Sequence, residues 1–190
     1  MQASIDHMEH PRNLTTKTQS YVLCGLFTAV ITAGAFIRIP VPVVPFTLQF
    51  LFTCLAGALR GKKWGAASVA VYVGLGLAGL PIFAEGGGIW YMAKPYFGYL
   101  IGFILGAYVT GALTGRTPTF RNCLMANFAG LAVVYTMGMA YCYIISNFVL
   151  GIPLGLWPLF LYCFVLAVPG DICLCIVAAL LTRRLRPFLR

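Results

Sequence analysis

Acidic residues are nearly missing from this chain of 190 residues, which has four of them against thirteen lysines and arginines. Beyond the polar leader only Glu85 and Asp171 remain. Histidine is scarcer still, and His7 and His10 both lie in the leader, which excludes a His-based metal or protease site in the apolar body. No G-x-x-x-x-G-K-[ST] loop occurs, so the chain does not hydrolyse ATP by that route. The seven cysteines contain no C-x-x-C pair, and most fall in apolar runs where cysteine acts as a small hydrophobe. These absences leave an enzyme reading without a constellation to rest on, and leave no metal or cofactor to expect.

Charge of any kind is also scarce, at 9% of residues, where a soluble domain carries about 25%. What is present instead is hydrocarbon: 61% of residues are hydrophobic and the mean hydropathy is +0.90. Several stretches reach the roughly 20 apolar residues needed to cross a core about 30 Å thick. The expected fold is an all-α membrane protein with six transmembrane helices, near 18–37, 47–60, 64–80, 96–115, 122–147 and 156–182. Residues 1–17 are expected to form a disordered cytoplasmic segment and 18–190 a single six-helix transmembrane domain. The first span follows a polar segment and lacks an A-x-A cleavage pattern, so it reads as a retained helix and not a signal peptide. Breakers mark the joints: Pro40, Pro42 and Pro45, then Gly61, Pro81 with "EGGG", Gly115 with Pro118, and Gly151 with Pro153. The second and third spans are short for a bilayer. "GLPIFAEGGGIWYMAKP" is too polar to span and reads as an ordered interfacial loop.

Basic residues set the orientation. Arg12, Lys17, Arg60, Lys62, Lys63, Arg116, Arg121, Arg183, Arg184, Arg186 and Arg190 fall at one set of helix ends, and only Arg38 and Lys94 at the other. Both termini are therefore expected in the cytoplasm. The net charge of +9 then marks topology and suits anionic lipid headgroups, and does not imply nucleic-acid binding.

Against this background Asp171 stands alone in a run from Gly155 to Thr182. An isolated carboxylate there costs about 2.5–3.5 kcal/mol on insertion scales, so it needs a partner, a wet cavity or a ligand. It lies about 18 Å above Arg183 at 1.5 Å per residue, near the midplane. Pro169 is placed to kink the helix, and Gly170 to admit a neighbouring group. A structural carboxylate bonded to another helix is one reading, and a polar anchor for a ligand arriving from outside is the other. The second is favoured by what the outward loops supply. Lys94 and Glu85, with Gln49, Tyr91, Tyr96, Phe83 and Trp90 close by, give the apolar walls and few placed donors that a small amphipathic solute requires. Lys94 is placed either to bind a ligand carboxylate or to pair with Glu85, while Asp171 can accept N–H bonds.

Two further patterns are weaker. "GLGLAG" (Gly74, Gly76, Gly79) matches G-x-G-x-x-G but closes a membrane helix, which makes it a packing or helix-end feature. Gly25, Ala29 and Ala33 recur every four residues on the first helix, a spacing that permits close helix–helix approach, within the chain or with a partner.

The run from Ala33 to about Gly111 resembles the BioY family, the biotin-binding S components of energy-coupling factor (ECF) transporters. It carries the Pro-x-Pro turn with P-F-T-L-Q, the L-x-G-x-L-x-G-x-x-x-G stretch from Leu55 to Gly65, G-L-P-x-F-A followed by glycines, and G-Y-L-I-G-F. The aspartate of the last helix belongs to the pattern too. The resemblance implies an S-component fold with six helices in a prokaryotic cell membrane, an outward biotin pocket, and docking onto a transmembrane coupling protein with two cytoplasmic ATPases. Ala29 and Ala33 match the A-x-x-x-A that faces the coupling protein, with Gly25 one step earlier. It further implies that Asp171 accepts from the ureido ring, that Lys94 holds the carboxylate, and that Tyr91 and Trp90 cover the apolar part. Gln49, Phe83 and Glu85 belong to the same level, and Asn127 lies six residues above Arg121, closer to the inner boundary. An S component for another vitamin, a facilitator needing no ATPase, and a membrane scaffold are the alternatives.

Overall fold

The structure is a computed structural model, and it describes residues 10–39, 46–115 and 119–189. Its first helix, α1 (His10–Phe36), is one-sided. Cys24, Phe27, Thr28, Ile31 and Ala35 are buried against the next helix, while Gly25, Ala29 and Ala33 face outward. The Thr28 hydroxyl lies 3.0 Å from both Cys24 O and Ser68 O, so its polarity is satisfied without water while it ties α1 to α2. Arg38–Ile39 (β1) pairs antiparallel with Phe46–Thr47 (β2), Arg38 opposite Thr47 and Ile39 opposite Phe46. The proline turn expected between them lies outside the described residues.

Helix α2 (Gln49–Leu77) is not one rod. At Gly61 the backbone turns to φ 77° and ψ 176°, which folds the helix into a hairpin. The turn needs glycine because positive φ is open to few other residues. The arms then run so close that a Cβ on Gly65 would stand 2.6 Å from Gly57 Cα, and one on Gly57 would stand 2.4 Å from Ala107 O. Three of the glycines in the Leu55–Gly65 motif are thus explained by one turn and two backbone contacts. The spans expected at 47–60 and 64–80 are these two arms, about 18 and 24 Å long at 1.5 Å per residue and so shorter than a hydrocarbon core.

After α2 the segment 78–96 folds over the end of the bundle. Phe83 and Gly86 bridge, and Ile89–Ala93 forms a short 3-10 turn. Helix α3 (Phe97–Leu113) follows, then α4 (Phe120–Ile144), whose first turn is capped by the Thr119 hydroxyl accepting from Asn122 N. α4 ends in a π turn over Ile145–Val149. The last tract runs from α5 (Leu156–Phe160) through a π turn (Leu161–Val165) into α6 (Val168–Leu185). Pro169 sits in the first turn of α6, where its missing N–H would have had no intrahelical partner. The proline therefore marks the joint between the π turn and α6, and Asp171 falls in the first turn of α6.

α1 packs on α2, while α2, α3, α4 and α6 close on one another in a ring. Gly102 and Gly106 of α3 lie on Val134 and Gly130 of α4, the small-residue contact that brings membrane helices together. Among the described residues, Lys17–Phe36, Phe120–Val149 and Leu156–Leu185 are long and apolar enough to cross a membrane. The basic turns share one end of the bundle: Gly111 of α3 meets the Gly61 turn, and Arg186 donates to Gly115 O at 2.8 Å. At the other end lie the small sheet and the aromatic loop.

Candidate functional site

Beneath that loop the ring of helices leaves a cavity of about 70 Å³. Its apolar walls are Phe46, Phe50, Ala84, Leu100, Phe103, Val134, Cys163 and Ala167. Set into them are Thr47, Gln49, Tyr91, Tyr96, Tyr99, Tyr135 and Asp171.

Asp171 is 9% exposed, and the Tyr135 hydroxyl of α4 donates to its Oδ2. Tyr135 is steadied edge-on by Tyr99 and Phe164, with ring centroids 6.1 and 5.1 Å away. Tyr99 in turn donates to Cys163 O at 3.2 Å. Gly170 is small for a visible reason: a Cβ there would stand 2.7 Å from the Phe46 ring, which forms part of the cavity wall. The carboxylate thus has one protein donor and faces an apolar chamber, which leaves acceptor capacity for a ligand N–H.

The loop wall is built from behind. Gly76 of α2 lacks the Cβ that would stand 2.1 Å from Phe83, so the Phe83 ring lies directly on the helix. Tyr72 meets Phe83 at 5.4 Å, Phe83 meets Tyr91 at 4.5 Å, and Tyr91 meets Tyr96 at 5.6 Å. The "GLGLAG" stretch is accordingly a ring seat plus a helix end, with Gly79 at φ 111°. Gln49 donates to the Tyr72 hydroxyl at 2.7 Å and accepts from Thr47 at 3.2 Å.

The residues expected at the site are distributed unevenly. Asp171, Gln49 and Tyr91 line the cavity. Phe83 is buried behind Tyr91 and supports it. Lys94 sits at the rim, 3.0 Å from Glu85 Oε2, and the Tyr96 hydroxyl donates to the same oxygen. The hydrogen bond from Tyr96, followed by that from Lys94, holds the Glu85 carboxyl below its ordinary range. Trp90 is 84% exposed on the outer side of the loop. Asn127 is sealed between α4 and α6, where it donates to Cys175 O at 3.0 Å. Tyr99 and Tyr135 are lining residues that sequence reasoning passed over. Their signal was faint: Tyr99 lies inside G-Y-L-I-G-F, and Tyr135 lies two turns above Asn127 on the same face of α4. Among the described residues no cluster of three or more His, Cys, Asp or Glu side chains is assembled.

Residues 7–190 match the BioY family model. The chain belongs to the BioY family. A probable biotin transporter BioY from Lysinibacillus sphaericus is 45% identical over 170 residues, covering 88% of this chain and 87% of that protein. The biotin transporter BioY of Rhizobium etli is 34% identical over 180 residues, 87% and 92% of the two chains. The crystal structure of an S-component for biotin from an ECF-type ABC transporter superposes with a TM-score of 0.78 at 27% identity, over 91% of this chain and 93% of that one. As a BioY chain with long apolar helices, the protein is a multi-pass prokaryotic membrane protein with the architecture of an S component.

Proposed function

We propose that this BioY chain is the biotin-capturing subunit of an ECF-type uptake transporter, taking biotin from outside and releasing it inward when docked on an ATP-driven module. The observation that carries this reading is Asp171, bonded to Tyr135 and facing a largely apolar cavity under an aromatic loop. Biotin offers the complementary chemistry: a ureido ring with two N–H donors, an apolar bicycle and chain, and a carboxylate tail. Asp171 accepts from the ureido ring, since charge-assisted bonds to a carboxylate are the strong ones in such a chamber. Tyr91 and Gln49 complete the wall, Phe83 braces it, and Lys94 with Glu85 forms the rim that meets the tail. Trp90 belongs to the loop that closes over the ligand, and Asn127 holds α4 to α6 below it.

In this reading the chain crosses the membrane six times, the two arms of α2 counting separately, and both termini are cytoplasmic. Support comes from the convergence at one end of the bundle of the Gly61 turn with Arg60, Lys62 and Lys63, the end of α3 before Arg116, and the end of α6 with Arg183, Arg184 and Arg186. Energy comes from two ATPases on other chains through a transmembrane coupling protein, which biases a bistable S component between outward and inward states. The exposed Gly25, Ala29 and Ala33 face is the docking surface. Enlarging Ala29 and Ala33 together to Trp leaves biotin binding intact and abolishes ATP-driven uptake; normal uptake by that variant would sink the docking assignment.

The test of the substrate is equilibrium biotin binding to the purified chain in detergent, with thiamine and riboflavin as competitors, for wild type and Asp171→Asn. Selective binding that the substitution destroys supports the reading. A folded chain that ignores biotin refutes it.

A further inference from the structure

Among the described residues, the cavity lining contains one acid, Asp171, and no lysine or arginine. A carboxylate tail entering it therefore meets no positive charge on the walls. Among the described residues two cations lie at this end of the bundle, and each has a partner. Arg38 donates to Ala84 O, a neutral acceptor that leaves its charge unpaired, and that charge acts on Glu85 and Tyr96. Lys94 Nζ is 3.0 Å from Glu85 Oε2 and lies over the Tyr91 and Tyr96 rings at 5.1 and 5.5 Å. Those two tyrosines line the cavity while Lys94 does not, so the ammonium rests against the wall and not on its inner surface. Glu85 is gripped as well, through the Tyr96 hydroxyl.

We infer that Glu85 is a specificity-determining residue: by occupying Lys94, it lets the cavity accept biotin-like ureido ligands whose chain ends in a neutral amide or ester as well as the free acid. The inference rests on the biotin reading above. A free-acid tail that reaches Lys94 shares the ammonium with Glu85, and much of the attraction cancels against the repulsion between the two carboxylates. A neutral tail leaves the pair intact and meets only the hydroxyls and aromatic rings of the wall. The carboxylate is therefore a weak criterion for admission, and Glu85 makes it so.

The experiment compares equilibrium binding of biotin and biotinamide to the purified chain in detergent. In the wild type the two affinities fall within about tenfold of each other. Glu85→Gln frees the ammonium, tightens biotin by about threefold to fivefold and leaves biotinamide unchanged. Lys94→Gln removes the cation, leaves Glu85 to repel the free acid, and shifts the preference toward biotinamide. Tyr96→Phe keeps every charge, loosens Glu85, and moves the ratio in the same direction as Glu85→Gln by about twofold. A wild-type chain that binds biotin but holds biotinamide more than about tenfold more weakly overturns the inference and leaves the biotin reading standing. An unchanged ratio in a folded Glu85→Gln chain overturns it too. If neither ligand binds the wild type, the biotin reading itself falls.

Discussion

The two ends of the bundle are held together mainly by different means. At the basic end, backbone meets backbone: Gly57 against Gly65 across the Gly61 turn, Gly57 against Ala107, and Gly111 against Lys62 N. At the aromatic end, side chains do most of the joining, through the stack from Tyr72 and Phe83 to Tyr91 and Tyr96 and the bond from Tyr135 to Asp171, beside one backbone seat where Gly87 lies on Leu80 O. Backbone contacts at glycine leave no room and have one arrangement. Ring contacts between a loop and a helix tolerate small displacements and enclose space. The difference assigns the rigid end to holding the fold and the adjustable end to holding a ligand, and that assignment can be broken.

The largest effect belongs to the rigid end. Gly57→Val puts a branched side chain where a single Cβ already stands 2.4 Å from Ala107 O. It costs about 3 kcal/mol or more and lowers the thermal unfolding temperature in detergent steeply, whether or not biotin is present. An unfolding temperature within error of wild type would show that the arms of α2 separate freely, and the contrast between the ends would dissolve. At the aromatic end the expected pattern inverts. Asp171→Asn lowers biotin affinity by about a hundredfold through loss of a charge-assisted acceptor, while the unfolding temperature holds or rises because a buried charge has gone. Tyr135→Phe comes next. It takes the donor from a buried carboxylate, which lowers stability by about 1–3 kcal/mol. Saturating biotin restores part of that loss, since ligand N–H groups replace the missing hydroxyl; a loss that biotin cannot reduce would mean the ureido ring does not reach Asp171.

How much of this was readable from the residues follows the same division. Charge is conspicuous in an apolar run, so Asp171 announced itself, and positive φ has few candidates, so Gly61 marked a joint. The consequences of that joint were not readable, because Gly57 and Gly65 are eight residues apart in sequence and touch only once the helix folds back. Tyrosines in apolar helices are usually core or interface residues, and nothing local tells one that donates to an acid 36 positions away from one that faces lipid. Phe83 and Trp90 looked alike as loop aromatics, yet one is buried on Gly76 and the other is exposed. The glycine seat that separates them is a three-dimensional fact. Lys94 carried two readings into the structure, and its partner there, Glu85, stands nine residues earlier in the same loop.

That ion pair gives the smallest effect and the finest probe of the adjustable end. Glu85 and Lys94 side chains are each 39% exposed, so solvent screens them and the pair contributes below about 1 kcal/mol. Its sign is nevertheless fixed. Tyr96 and Lys94 hold the Glu85 carboxyl below its ordinary range, so the folded chain prefers the ionised form more than the unfolded chain does. The contribution is therefore fully present above the ordinary carboxylate range and is lost as pH falls through the lowered folded value. Thermal unfolding of wild type and Glu85→Gln in detergent should differ slightly at neutral pH and converge in acid. Because the loop rests on Phe83 and Gly76 and not on this pair, the convergence should leave the unfolding temperature of both proteins governed by the basic end. A difference that persists unchanged into acid would mean that Glu85 acts by shape alone, and that the rim carries no charge for a ligand tail to meet.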